Sequence, residues 1–177
     1  MRPKADIETL FSAEQIQDRV DRLAYEITQS IGTDFLLISI LKGSFVFSAD
    51  LIRSLHRSGA TPQIDFLTLS SYGSATESSG HVEIKKDIDE IVKNKSILLV
   101  DDILESGRTL AFAKNILSDR GALSVNLCVF LNKPGKRKVQ IEANFIGFDC
   151  PDKFVVGYGL DYAHYFRELP FVGSLDK

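Results

Sequence analysis

Long hydrophobic stretches are missing from this 177-residue chain. No apolar run approaches the ~18 residues a membrane-spanning helix needs. The longest, around Phe35–Leu41 and Ile97–Val100, are strand-sized. Cysteine is scarce. Cys128 and Cys150 can make neither a disulfide framework nor a zinc quartet, and both read as small buried hydrophobes. The three histidines, His56, His81 and His164, show no metal-ligand spacing. A basic excess is also absent: 21 Lys+Arg against 24 Asp+Glu give a formal net charge of −3. That balance does not favour non-specific nucleic-acid binding. Met1–Asp6 has no signal-peptide hydrophobic region, and no internal repeat or linker interrupts the chain. The expectation is a cytoplasmic protein with no membrane segment and no nucleic-acid partner, folded as one domain over residues 1–177.

Hydrophobic residues make up 44% and charged residues 25%, a globular balance that excludes disorder, collagen and a coiled coil. A helix opens at Ser12. Ser12 and Gln15 fit a capping box, Phe11 and Ile16 a hydrophobic staple, and Ile16, Val20, Leu23, Ile27 and Ile31 share one face. Phe35–Leu41 then reads as a strand buried on both faces, the habit of parallel sheets. It ends at Lys42-Gly43-Ser44. A second helix is predicted with Phe45, Ala49, Ile52 and Leu55 inward, stopping near Gly59, and Gln63–Leu69 follows as a strand. Ser70–Gly80 holds five serines and two glycines and has almost nothing to bury. Loops of that length in compact domains are usually lids or disordered. Val82–Lys86 reads as a short returning strand and Asp87–Lys95 as a charged connector. Ser96–Val100 is a second buried strand, followed by a helix over Thr109–Arg120 and a third buried strand, Val125–Leu131. Asn132–Lys138 is a basic turn. Asn144–Phe148 and Lys153–Tyr158 complete the strands. Alternating buried strands and helices predict an α/β fold with a mainly parallel central sheet flanked by helices. Ligands in such sheets bind beyond the carboxyl ends of the strands.

At one such end, Ile97–Leu110 delivers Asp101 and Asp102, two apolar residues, then Glu105-Ser106-Gly107-Arg108-Thr109 and a helix. Consecutive amides of Glu105–Thr109 at a helix N-terminus, with the Ser106 and Thr109 hydroxyls, could wrap a phosphate. The two carboxylates would suit sugar hydroxyls or a metal-bound ligand. On spacing alone an ordinary strand–loop–helix turn is equally compatible.

That run closely resembles the phosphoribosyl pyrophosphate signature of the type I phosphoribosyltransferases: an apolar strand, two acidic residues, two apolar residues, then Asp-(Thr/Ser)-Gly-x-Thr-(Leu/Met). Leu41-Lys42-Gly43 looks like the short pyrophosphate loop of purine salvage enzymes, in which the bond between the first two residues is often cis. Ser71-Tyr72 resembles the Ser-Tyr pair of the flexible catalytic loop. Pro151–Leu169 is similar nearly throughout to the C-terminal signature of hypoxanthine(-guanine) phosphoribosyltransferases. With Phe130–Pro134, the resemblance covers the chain from about Phe35 to Leu169.

The resemblance implies a type I phosphoribosyltransferase fold with a small hood region and a flexible catalytic loop. It implies transfer of phosphoribose from its pyrophosphate to N9 of a 6-oxopurine, with Mg2+ as cofactor. Phe154 matches the aromatic stacked on the purine, Lys133 the donor to its 6-oxo group, and Val155 the residue whose backbone reads the far edge. Leu41, Lys42, Gly43 and Arg167 fall on pyrophosphate. Glu105, Ser106, Gly107, Arg108 and Thr109 fall on the 5′-phosphate, and Asp101 and Asp102 on the ribose hydroxyls and metal region. Asp161 matches a purine-site carboxylate near the second magnesium. Ser71 and Tyr72 belong to the lid. Glu105 stands where the family usually has Asp, facing purine N7 as a candidate general base or proton partner; its carboxylate reaches one methylene farther. A homo-oligomer, dimer or tetramer, is expected by family analogy.

Three competing readings remain at this level. A non-catalytic ligand sensor on the same fold would use the Lys133–Lys138 cluster toward RNA. A receiver-type domain would account for a strand ending in Asp101-Asp102, but it wants carboxylates after the first strand, where Lys42 stands. A sister enzyme would act on xanthine or another base.

Overall fold

The computed structural model describes residues 6–71 and 82–175. The chain runs β1 (Ile7–Phe11), α1 (Ala13–Ile31), β2 (Leu36–Leu41), α2 (Phe45–Arg57), β3 (Gln63–Ser71), β4 (Val82–Lys86), β5 (Ser96–Leu104), α3 (Arg108–Asp119), β6 (Ser124–Asn132), β7 (Phe145–Asp149), β8 (Phe154–Val156) and β9 (Val172–Leu175). A 3-10 turn, Pro134–Lys136, follows β6. Six strands form one sheet in the order β4-β3-β2-β5-β6-β7, parallel throughout except for β4, which returns antiparallel beside β3. The predicted α/β class and parallel sheet are observed.

The continuous apolar runs have the expected cause. Successive residues of a strand face opposite sides, and both sides of this sheet are covered. Leu37, Leu98, Val100, Cys128 and Phe130 pack toward α1 and α2. Leu36, Ile38, Ile97, Leu99 and Val129 pack with Leu110, Ala113 and Leu117 of α3. Both cysteines are buried free thiols, as read from the sequence. Helix α1 begins as predicted: Gln15 N donates to Ser12 Oγ at 3.2 Å, and Ser12 N donates to Gln15 Oε1 at 2.8 Å. Its buried stripe holds Ile16, Val20, Leu23 and Ile27.

Three sequence expectations change. The buried face of α2 is Phe47, Leu51 and Leu55 with Ser48 and Ser54, not Phe45, Ala49 and Ile52. Two overlapping stripes fit the apolar residues of this helix. The stripe with small polar residues sits inward because their hydroxyls find partners: Ser48 with Ser39 at 2.7 Å, and Ser54 donating to Asp21 at 2.6 Å. Strand β5 does not stop at Val100; it carries Asp101 and Asp102 within the sheet and ends at Leu104. Strand β3 extends to Ser71; the rest of the predicted lid, residues 72–80, lies outside the described residues.

The hood is a second sheet, β1-β9-β8, antiparallel throughout. Strands β1 and β9 carry no signal strong enough to be read in sequence. Their pairing joins Ile7 to Leu175 and roofs the carboxyl edge of the main sheet with β8.

Candidate active site

Strands β2, β5 and β6 lie side by side and parallel, so their C-terminal ends open at one edge. Two adjoining cavities, of about 560 and 260 Å³, occupy that edge under the hood. Leu41, Lys42, Gly43, Asp102, Ile103 and Glu105 line both. Lys133, Phe154, Val155, Asp161 and Arg167 line the larger. Asp101, Ser106, Gly107 and Thr109 line the smaller. Sequence reading therefore placed most of its site residues in one cleft. Arg108 is the exception. It opens α3 and lines neither cavity.

The smaller cavity could cradle an anion. Glu105–Gly107 turns between β5 and α3, and Gly107 adopts φ 83°, a left-handed conformation that glycine tolerates without steric cost. Helix α3 starts there and presents its N-terminal amides. Across the cleft the Leu41–Lys42 peptide is cis, as the resemblance implied. Gly43 is in near contact with Asp102: a Cβ there would lie 1.6 Å from Asp102 Oδ2. Any other residue there would push that carboxylate aside.

Asp101 and Asp102 are held in unusual surroundings for acids. Burial, then repulsion from the Asp102 carboxylate, pushes Asp101 well above the usual carboxylate range. Burial also raises Asp102, while the Arg167 guanidinium acts in the opposite direction. The protonated Asp101 is the form the fold favours. Its stabilising contribution is complete below the unfolded-chain value and is lost as pH rises through the raised folded value. Asp101→Asn removes that loss and keeps a carbonyl for the 3.0 Å bond from Asp102 N. The variant is expected to melt above wild type at neutral pH, by about 2–4 °C per kcal/mol relieved, with the gap widening as pH rises above about 4. Turnover falls. Thermal melts of both proteins across that range check it; a constant gap refutes the ionisation argument.

Two adjacent carboxylates, Asp101 buried and Asp102 half-buried at the cavity wall, fit a hard divalent cation. Mg2+ keeps octahedral geometry with one or two carboxylates, waters and substrate phosphates, and does not need a full protein cage. Among the described residues, no three His, Cys, Asp or Glu side chains converge on one point. Asp161, expected near a second magnesium, stands apart from Asp101 and Asp102. It is ion-paired with Arg167 at 2.5 Å and accepts from His164 N at 2.8 Å. Arg167 also donates to Gly159 O at 2.5 Å.

The larger cavity has the opposite character. Phe154 opens β8, is 36% exposed and stands edge-on to Tyr162 at 5.6 Å. Lys133 is 6% exposed. Its Nζ donates to Glu105 Oε1 at 2.9 Å and to Lys153 O at 3.0 Å. Lys136 lies 3.8 Å from the same Glu105 oxygen and pairs with Asp152 at 2.9 Å. A flat apolar group bearing an acceptor fits between Phe154 and this buried ammonium. Sequence reading missed Ile103 and Leu160, which add apolar wall. Strand alternation past Asp101 was the signal for Ile103. Of the lid pair, Tyr72 lies outside the described residues and only the backbone of Ser71, the last residue of β3, is placed.

The phosphoribosyl transferase domain pattern matches residues 6–163. The hypoxanthine phosphoribosyltransferase of Escherichia coli K12 is 42% identical over 175 residues, covering 97% of each chain. The hypoxanthine-guanine phosphoribosyltransferase of Bacillus subtilis is 45% identical over 174 residues, covering 97% of this chain and 95% of its own. The crystal structure of a hypoxanthine-guanine phosphoribosyltransferase from Bacillus anthracis superposes with a TM-score of 0.90 at 42% identity, over 98% of this chain and 100% of that one.

Proposed function

This chain belongs to the phosphoribosyl transferase family, and from that premise we propose that it transfers the 5-phosphoribosyl group of phosphoribosyl pyrophosphate to N9 of hypoxanthine and guanine, releasing pyrophosphate, in purine salvage. One observation carries the substrate choice: a buried lysine ammonium beside an exposed phenylalanine ring, across the cleft from an anion cradle. A 6-oxo group accepts from Lys133. The 6-amino group of adenine meets donor with donor.

In this reading Phe154 stacks on the purine, a contact worth about 1–3 kcal/mol, and Val155 offers its backbone to the far edge. The Glu105–Thr109 loop holds the 5′-phosphate. Lys42, Gly43 and Arg167 hold the pyrophosphate, and Arg167 leaves its pairing with Asp161 to do so. Asp101 and Asp102 hold the ribose hydroxyls and, with substrate oxygens, Mg2+, which when bound neutralises charge on the leaving group. Such electrostatic placement is usually the largest catalytic contribution. Glu105 holds or accepts a proton at purine N7. Ser71 and Tyr72 belong to the segment that excludes water from the ribosyl cation. The proposal includes a single domain, a homo-oligomer by family analogy, and cytoplasmic residence, where free thiols such as Cys128 and Cys150 stay reduced.

The sensor reading keeps less of the basic turn to draw on. Lys133 is buried and Lys136 is paired with Asp152. The direct experiment supplies phosphoribosyl pyrophosphate and Mg2+ with hypoxanthine, guanine, xanthine or adenine in parallel. Turnover confined to hypoxanthine and guanine is expected. Turnover on xanthine or adenine at comparable rates overturns the substrate assignment, and none on any base overturns the enzymatic one.

A further inference from the structure

Beyond Lys133, the turn after β6 has no part in the chemistry above, yet it grips the anion cradle from behind. A loop that points its amides at a phosphate turns its carbonyls away, and a carbonyl turned into protein needs a donor. Those donors come from one segment. Arg137 Nη1 donates to Glu105 O at 3.1 Å. The backbone amides of Lys138 and Val139 both donate to Ser106 O, at 2.9 and 3.1 Å. Arg137 is itself anchored: Nη2 donates to Asn132 Oδ1 at 2.7 Å, and Asn132 Nδ2 donates to Asp149 Oδ1 at 2.8 Å. A Cβ on Gly107 would lie 3.3 Å from Arg137 Cδ and 3.1 Å from Val139 O, so the turn packs against the cradle's glycine as well.

We infer that Arg137 is a positioning residue for the 5′-phosphate subsite: its guanidinium fork, anchored on Asn132, holds the Glu105 carbonyl away from the cavity so that the loop presents its amides to the phosphate. The inference rests on the proposed reading of the cleft. Arg137 acts through backbone and does not line either cavity. Its planar fork serves two acceptors at fixed directions, which a lysine ammonium on a flexible stem does less well. The same turn begins with Lys133 in the purine cavity, so one segment links the two halves of the substrate site.

IMP and inosine differ only in the 5′-phosphate, and calorimetric titration with each isolates this subsite. Wild type is expected to bind IMP more tightly than inosine. A wild type that does not distinguish them overturns the reading of the cleft and this inference with it. Given that preference, Arg137→Ala is expected to weaken IMP about tenfold while inosine changes less than about twofold. Arg137→Lys recovers part of the loss. Asn132→Ala, which keeps the charge and frees the fork, moves the ratio in the same direction by less. An IMP-to-inosine ratio that stays at the wild-type value, or equal weakening of both ligands, overturns the positioning role. Should Arg137→Ala not fold, an unchanged ratio in both other variants overturns it equally.

Discussion

Replacing Glu105 by alanine is expected to lower kcat by about 10²–10⁴-fold, the range of positioned proton transfer, while KM for phosphoribosyl pyrophosphate changes much less. The separation follows from how the residue is built in. Its backbone belongs to the anion cradle, and its carbonyl is held by Arg137 at 3.1 Å, independently of the side chain. Its carboxylate reaches the other way, toward the larger cavity, 2.9 Å from Lys133 Nζ. Alanine keeps the first arrangement and removes the second. Glu105→Asp restores the residue usual in the family, with a carboxylate about 1.5 Å shorter in reach. It is expected to recover most of the rate. Single-turnover measurements separate chemistry from product release. An unchanged single-turnover rate in Glu105→Ala would remove this side chain from proton transfer.

How much of this was readable in sequence depended on whether a residue's neighbours were local. Phe35–Leu41, Ile97–Val100 and Val125–Leu131 were legible as strands because burial on both faces leaves an unbroken apolar run. The cap of α1 was legible because Ser12 and Gln15 are three residues apart. Strands β1 and β9 were not. Ile7–Phe11 is short and half exposed, and it is a strand only because Val172–Leu175 pairs with it from the other end of the chain. The inward face of α2 was misread because hydroxyl partners on β2 and α1 decided it. Within the site, motif order located the cleft, but side-chain partnership did not follow from order. Asp161 and Arg167 had separate expected roles and form one ion pair. Arg137 looked like part of a solvated basic turn and faces the cradle's backbone.

Lys133→Met is expected to collapse the preference for hypoxanthine over adenine by about 10³-fold or more, since sites built to hydrogen-bond one group reject analogues lacking it by about 10⁴–10⁵. Methionine keeps much of the length and apolar stem and removes the charge. An ammonium only 6% exposed needs partners, and this one has Glu105 Oε1 and Lys153 O at hydrogen-bond distance, with Asp152 farther off at 3.8 Å. Three protons on Nζ and two such acceptors leave one donor for a purine 6-oxo group in the cavity. The loss should therefore fall on kcat/KM for hypoxanthine and guanine, with adenine turnover little changed from its low starting value. Stability should suffer less than for most broken buried pairs, because the abandoned Glu105 side chain is 39% exposed and water can solvate it. Parallel kcat/KM values on hypoxanthine, guanine and adenine decide the matter. Equal proportional loss on all three would mean that Lys133 serves only to hold Glu105, and that selectivity resides in the backbone around Val155.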